Sequence, residues 1–239
     1  MISIIIPVFN QADKLGACLK SIALQTDQNF EVIIVDDGSK DNPEQVFSDF
    51  IVFLQSHGGL RGEGAYEFFR QENKGAPAAR NHGFQKSKGE YLFFCDADVT
   101  MKPELLEKLR LTLEAHPEAS YAYSSFYFGN KLFKVGDFDA DKMRRMPYIN
   151  PMALLRRQDF PQGGWDESIR KFQDWDLWLT VLEAGHQGIF VPEVLYSVQT
   201  GGTMSVWLPK IAYQICPFLP AVKKYWAAMK IIKQKHNLC

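Results

Sequence analysis

Residues 91–100 read YLFFCDADVT, an apolar run that ends on two closely spaced carboxylates, Asp96 and Asp98. The run Tyr91–Cys95 is short and rich in aromatics, which suits a buried strand better than a helix. A strand that stops on Asp-Ala-Asp carries acids to its carboxyl end, where open α/β sheets collect their ligands. Carboxylates so placed can hold a divalent cation against a phosphate, supply a nucleophile, or cap a turn.

Working outward, FEVIIVDDGS (30–39) is a second strand, apolar until it meets Asp36 and Asp37, with Gly38-Ser39 as its turn. Near-continuous apolar strands are what a parallel sheet covered on both faces requires. ISIII (2–6) is a first strand ending at Pro7, and Leu15, Cys18, Leu19, Ile22 and Ala23 recur at helical spacing over 13–25. A glycine-rich loop, HGGLRGEG (57–64), precedes a strand over 65–70. A helix follows over Ala76–Lys86, with Gly75 before it and Gly83 inside it. Pro103, a favourable first helical residue, opens a helix reaching about Ala115. This succession predicts an α/β fold with a Rossmann-like, mostly parallel sheet flanked by helices. After residue 116 the pattern changes: SYAYSSFYFGNKLFKVG (120–136) alternates like antiparallel strands. FQDWDLWLTVLEAG (172–185) is a helix closed by Gly185, and short strands are expected at 187–191 and 194–199.

With 239 residues, 46% hydrophobic and 23% charged, the chain has room for one domain, or one domain and an appendage. A net charge of −1 gives no support for a nucleic-acid partner. Cys18, Cys95, Cys216 and Cys239 are scattered without metal-ligand spacing, and Cys18 and Cys95 sit inside apolar patterns, so inert core thiols at those two positions and a reducing cytoplasm are expected. MISIIIPVFN carries no basic leader, and no apolar run reaches 18 residues, so no spanning helix is expected. No acid follows Glu193, whereas Lys210, Lys223, Lys224, Lys230, Lys233 and Lys235 do, among many aromatic and aliphatic residues. The domain reading is therefore 1–205 for the globular part and 206–239 for a basic, aromatic-rich helical tail.

In a right-handed parallel sheet, Asp36-Asp37 and Asp96/Asp98 fall on one rim. Clustered carboxylates repel unless a cation or hydrogen-bond donors join them, and a hard divalent ion shared with a diphosphate does this. The plainer reading is that each Asp caps its turn. FFCDADVT also fits the opening strand of haloacid-dehalogenase-type phosphatases, with Asp96 as nucleophile. There, however, the motif opens the domain, and here a strand–helix unit precedes it. The later acidic segment GDFDAD (136–141) follows a polar hairpin-like stretch rather than an apolar strand.

Five segments, SIIIPVFNQADKLGACLKSIALQT, VIIVDDGSKD, ENKGAPAARNHG, GEYLFFCDAD and WDESIRKFQDWDLWLTVLEAG, stand in order over roughly residues 1–205. Together they resemble family 2 glycosyltransferases. The resemblance implies a GT-A fold with an antiparallel acceptor-side portion, and inverting sugar transfer from a nucleoside-diphosphate sugar, UDP on family grounds. It implies a hydroxyl acceptor in glycan or cell-surface polysaccharide synthesis. Pro7, Phe9 and Asp37 would surround the base, with Lys74, Arg80 and Asn81 near base, ribose or phosphate. Asp96 would bind the ribose and share the metal. Asp98 would be the principal ligand of Mn²⁺ or Mg²⁺. Asp174 would be the catalytic base that deprotonates the acceptor, and Trp165, Asp166 and Glu167 would border the donor and acceptor sugars.

Two departures from that pattern stand out. Gln173 occupies a position where Glu is usual, and Val198 and Thr200 stand where Arg and His are common. The plainer reading of Asp174 is a helix-capping residue, and Asp176 is expected to face elsewhere on the helix. His57, His82, His116, His186 and His236 are read as structural or solvent-facing. The tail has two readings: a contact with anionic lipid at the inner face of the membrane, near a lipid-linked acceptor, or a packed helix with a solvated lysine face. A non-catalytic nucleotide-sugar-binding protein is the alternative to an enzyme.

Overall fold

The computed structural model describes residues 1–56, 66–201 and 218–238. The glycine-rich segment 57–64 and residues 202–217 of the tail region lie outside the described residues. β1 (Ile2–Val8) and β2 (Phe30–Asp36) are buried along their whole length and pair in parallel, Ile2 opposite Phe30 and Val8 opposite Asp36. β3 (Tyr66–Arg70) flanks β2 and β4 (Tyr91–Phe94) flanks β1, both in parallel. Helices α1 (Ala12–Ala23), α2 (Pro43–Ser56), α3 (Ala76–Lys86) and α4 (Leu105–Ala115) alternate with the strands. The sequence reading leaves α2 unassigned. Its apolar residues do not form one clean stripe: Phe50 and Leu54 are buried while Val52 and Phe53 face solvent.

The second half adds β5 (Val99–Met101), β6 (Tyr121–Phe128), β7 (Lys131–Phe133), β8 (Ala153–Arg156) and β9 (Gly188–Val198), with α5 (Ala140–Arg145) and α6 (Gln173–Glu183). The described strands form one sheet in the order β3-β2-β1-β4-β8-β6-β9-β5, with β7 paired to β6. Its β8 junctions, the β5–β9 edge and the β6–β7 hairpin are antiparallel, so the expected mixed sheet is what the chain builds. The two strands expected at 187–191 and 194–199 are one strand, β9, interrupted by a bulge. Its partners on β6 step from Ser124 opposite Val191 to Ser125 opposite Val194. Pro192 lies in that gap, since a residue without an N–H cannot serve the ladder there.

Apolar side chains cover both faces of the sheet. On one lie Ile4, Ile6, Leu15, Leu19, Leu105 and Leu109; on the other, Ile5, Phe94, Trp165, Trp175 and Trp178. Helix α3 lies very close to the sheet because Gly83 has no side chain: a Cβ there would come 2.5 Å from Ile5 Cγ2. Cys18 and Cys95 are buried free thiols with Sγ atoms 3.7 Å apart, and burial together with that contact pushes the Cys95 thiol up.

The final helix, α7 (Pro220–Lys235), starts on a proline and buries Met229 and Ile232 in the second cluster. It is also tied down by charge. Lys235 Nζ donates to Asp166 Oδ2 at 2.7 Å and to Asp176 Oδ2 at 2.9 Å. His236 places both ring nitrogens 2.9 Å from carboxylates, Nε2 against Asp176 and Nδ1 against Glu183. Only an imidazolium donates to both. This half of the expected tail is thus packed on the domain, while Lys223, Lys224 and Lys230 are exposed. No helix among the described residues is long and apolar enough to cross a membrane.

Burial opposes charge on His236, but its bonds to Asp176 and Glu183 outweigh burial and hold its pKa above the ordinary imidazole value. The latch is therefore complete below about pH 6.5 and is lost as pH rises through the folded value. Urea midpoints measured from pH 6 to 9 should fall with pH in the wild type. In His236→Gln the slope should flatten, and stability at pH 6 should drop by about 1–2 kcal/mol.

Candidate active site

The carboxyl ends of β1, β2 and β4 share one rim: the Asp37 N–H donates to Val8 O and the Cys95 N–H to Ile5 O, each at 2.9 Å. Asp36 is fully buried and caps its turn by accepting the Ser39 N–H at 2.8 Å, the plainer of the roles considered for it. Asp37 is 3% exposed. Its carboxylate accepts the backbone N–H groups of Lys74 and Gly75 at 2.8 Å and the Gln71 amide at 2.9 Å. It thereby pins the loop that leads into α3 against the end of β2. Pro7 is buried within β1, opposite Val35, whereas Phe9 stands at the rim with 37% of its surface exposed, and Lys74 is exposed.

Arg80, on α3, is the centre of the site. The residue is 3% exposed; Nη2 donates to Asp96 Oδ1 at 2.7 Å and Nη1 to Gln173 Oε1 at 3.1 Å. The guanidinium also lies over the Trp165 ring, 4.5 Å from its centroid. One side chain thus joins α3, the end of β4, the start of α6 and the 163–165 loop. Gln173 meets Arg80 as a neutral acceptor and donates its own amide to Ile169 O at 3.2 Å. The positive charge is therefore balanced by Asp96 rather than by α6.

Asp174 follows in the first turn of α6, half-buried, with Oδ1 accepting the Trp175 N–H at 2.9 Å. Burial pushes its carboxyl up to about 6; Arg80 pulls it down and Asp96 pushes it up again, which brings all three groups within one electrostatic neighbourhood. The residue before the helix, Phe172, holds a left-handed backbone at φ 62°, an uncommon state for a bulky side chain. That bend turns the chain into α6 at the mouth of the site. Asp176 lies elsewhere on the helix, held by Lys235 and His236, so Asp174 and Asp176 serve different partners.

Asp98 is half-buried just beyond β4. Burial raises its carboxyl to about 6, Asp96 adds to the rise, and Lys14, a backbone N–H and the Gln11 amide oppose it. Among the described residues no three His, Cys, Asp or Glu side chains form a metal cage. Asp96 and Asp98 do offer two hard oxygen donors that repel each other, a set suited to an Mg²⁺- or Mn²⁺-type ion completed by phosphate oxygens and water. Val198 is committed to the β5–β9 ladder opposite Val99, and Thr200 packs near Gly129.

On the far side, Asn81 clamps the 163–167 loop. Its side chain accepts the Trp165 N–H at 2.8 Å and donates to Trp165 O and Glu167 Oε1, both at 2.9 Å. Gly164 permits this, since a Cβ there would sit 2.5 Å from Asn81 Oδ1. Trp165, which the resemblance puts beside the sugars, is 2% exposed, and its ring lies against the Arg80 guanidinium. Asp166 is bound by Lys235 and Ser168, which hold its carboxyl down at about 2. Asp166 and Glu167 border a cavity of about 540 Å³ that also reaches Asp176, Glu183, Lys235 and His236. The sequence reading missed that Lys235 and His236 come here. No local pattern marks them, because they sit some 60 residues from Asp176.

In this mixed sheet the parallel strands β1, β2 and β4 carry acids to one carboxyl rim, where open α/β sheets gather their ligands. A family model described as Glycosyl transferase family 2 matches residues 3–163, and the chain belongs to that family. Its relatives include a protein described as an uncharacterized glycosyltransferase of Haemophilus influenzae, 29% identical over 197 residues, covering 77% of this chain and 62% of the relative. Glycosyltransferase GlyG of Streptococcus pneumoniae is 36% identical over 161 residues, covering 64% of this chain and 50% of GlyG. This chain therefore spans about half to three-fifths of those relatives' length. Among solved structures, S. aureus TarS 1-349 in complex with UDP superposes with TM-score 0.69 at 17% identity, covering 84% of this chain and 60% of that one. Mannosyltransferase PcManGT from Pyrobaculum calidifontis, in complex with GDP-Man and Mn²⁺, gives TM-score 0.64 at 17% identity, covering 86% and 58%. The fold is GT-A.

Replacing Arg80 by Met would leave Asp96 without its cation and the Gln173 carbonyl without its donor. Denaturant unfolding of Arg80→Met should show a loss of about 1–3 kcal/mol, the lower end reflecting the partial exposure of Asp96.

Proposed function

We propose that this chain is an inverting glycosyltransferase that moves a sugar from a nucleoside-diphosphate sugar to a hydroxyl acceptor in glycan or cell-surface polysaccharide synthesis. The observation that carries the reading is that Arg80 joins Asp96, at the end of β4, to Gln173, the residue beside Asp174 at the start of α6. A carboxyl poised near 6 is ionised at neutral pH yet remains basic enough to accept a proton. As the acceptor oxygen bonds to the anomeric carbon, its proton passes to an Asp174 oxygen. The bond from that carbon to the diphosphate breaks, with the electron pair leaving on the diphosphate. Inversion follows from attack opposite the leaving group.

The nucleotide would lie along the rim, with Phe9 and Asp37 at the base, Pro7 behind them, Lys74 and Asn81 nearby, and Asp96 and Arg80 at the ribose and phosphates. Asp98, assisted by Asp96, would hold Mn²⁺ or Mg²⁺, which when bound offsets charge on the departing diphosphate. Asp166 and Glu167 would border the sugars. UDP is the favoured donor nucleotide because TarS, a close match in fold, was solved with UDP and with UDP-GlcNAc. PcManGT, solved with GDP-Man, makes GDP the competitor to test. A thermal-shift panel of UDP-, GDP- and dTDP-sugars with and without Mn²⁺ decides the base, since selective binding raises apparent stability.

The catalytic unit is assigned to residues 1–205 and a membrane-facing role to 206–239, with the enzyme in the cytoplasm at the inner face of the membrane. On α7 and just before it, exposed Phe218, Trp226 and Ile231 accompany exposed Lys223, Lys224 and Lys230, a combination that favours an anionic lipid surface and a lipid-linked acceptor. Cosedimentation with vesicles containing phosphatidylserine should exceed that with phosphatidylcholine alone, and should fall in 0.5 M salt, roughly where screening is strong. Equal binding to both vesicles, or to neither, would remove the membrane role.

For Asp174→Asn, nucleoside diphosphate release with Mn²⁺ and acceptor should fall by about 10³-fold or more. The wild-type rate should show an acid limb near pH 6. Because burial raises the folded pKa, ionisation of Asp174 costs stability as pH rises through about 6. The Asn variant should therefore be more stable at pH 7.5, by roughly 1–3 kcal/mol, and lose that advantage below about pH 4. An active Asn variant would exclude Asp174 as the base.

A further inference from the structure

Lys14 has no role in the reading so far, and its environment is unusual. It lies in the first turn of α1, is only 8% exposed, and its Nζ has neither a hydrogen bond nor an ion pair among the described residues. A buried ammonium without partners is unfavourable, because burial removes its water and nothing replaces it. Its position is defined by its neighbours on the helix. One turn before it stands Gln11, the N-cap of α1, and β5, which starts at Val99 directly after Asp98, packs against α1. One turn after it, Cys18 Sγ points to Asp96 O at 3.8 Å. The same turn of α1 is fixed to the rim by the Ala12 N–H, which donates to Asp41 Oδ2 at 2.8 Å. The face of α1 that carries Gln11, Lys14 and Cys18 therefore runs over the Asp96–Asp98 turn, and Lys14 sits at its middle. Its charge reaches the Asp98 carboxyl without forming an ion pair with it.

We propose that Lys14 is the protein's own countercharge for the donor's diphosphate, and that by lying beside Asp98 it makes the cleft take a divalent cation together with a nucleoside diphosphate instead of alone. The inference rests on the cleft being a nucleoside-diphosphate site. A fixed positive charge repels a bare divalent ion near the same carboxylate, and attracts an anion that brings such an ion with it. The flexible four-carbon stem and three donors of lysine let the head turn toward an arriving phosphate oxygen. A residue retained for this purpose weakens the empty fold, as charged groups at binding sites commonly do.

The test compares the full wild-type chain with Lys14→Met, which keeps the length of the side chain and removes its charge. Mn²⁺ binding without nucleotide is followed by electron paramagnetic resonance. Calorimetry measures UDP, GDP and dTDP binding without metal, and thermal unfolding is recorded for each chain. The expected result is a variant that melts at the same temperature or higher, binds free Mn²⁺ about fivefold tighter, and binds the preferred nucleoside diphosphate about tenfold more weakly. A wild type that binds UDP, GDP or dTDP, with Lys14→Met unchanged in both Mn²⁺ and nucleotide affinity, overturns the role of Lys14 and leaves the nucleotide site standing. A wild type that binds none of the three, with Mn²⁺ or without it, overturns both. Should Lys14→Met not fold, Lys14→Gln is measured in its place. Failure of both to fold makes Lys14 a structural residue and overturns the proposal.

Discussion

The contact between Arg80 and Asp96 is the interaction on which the rest of the site depends. A guanidinium removed from water is tolerable only if its charge is answered, and here the answering groups come from three places in the fold, meeting an Arg80 borne on a fourth. Asp96 arrives at the end of β4, Gln173 at the start of α6, Trp165 from the 163–165 loop, and Arg80 itself from α3. Because the guanidinium is planar with fixed donor directions, it sets their relative positions as well as their charge balance. Asp174, adjacent to Gln173, inherits its place from this contact.

Around that centre the protein concentrates groups held in unfavourable states. Asp98 and Asp174 both have carboxyls raised to about 6 by burial, Phe172 holds a left-handed backbone before α6, and Lys14 is buried without a partner among the described residues. Each of these weakens the folded state. The offsetting interactions lie elsewhere, in the fully buried β1 and β2 and in the aromatic layer of Trp165, Trp175 and Trp178. The C-terminal latch adds to them, with Lys235 and His236 closing α7 onto Asp166, Asp176 and Glu183. Gln173 fits this distribution of charge: as a neutral acceptor it leaves Arg80 to Asp96 and spares Asp174 a second like charge beside it.

Much of this was legible along the chain. Apolar strands that end on acids declared the parallel half of the sheet and its functional rim, since a strand buried on both faces must be apolar throughout and its polar residues collect at its ends. Helix α3, its Gly83 and the start of α6 were equally plain. The amphipathic signal failed for α2, whose exposed Val52 and Phe53 obscure its buried face, and for β9, where a bulge at Pro192 looks locally like two strands. β5 and β8, with 3 and 4 residues, are too short to carry a period of their own.

What the sequence determined by itself was therefore the class of fold, the rim on which the acids lie, and the family, because these follow from local hydrophobic periodicity and from the order of motifs. Only the tertiary structure decided which acids share a cleft. Asp174 joins Arg80 and Asp96, while Asp176, two positions on, turns to Lys235 and His236. It also buried Trp165, and buried the Lys14 ammonium without a hydrogen-bond partner among the described residues. The physical reason is that the direction of a side chain on a helix depends on how that helix is packed, and the charges that meet it come from residues far away along the chain.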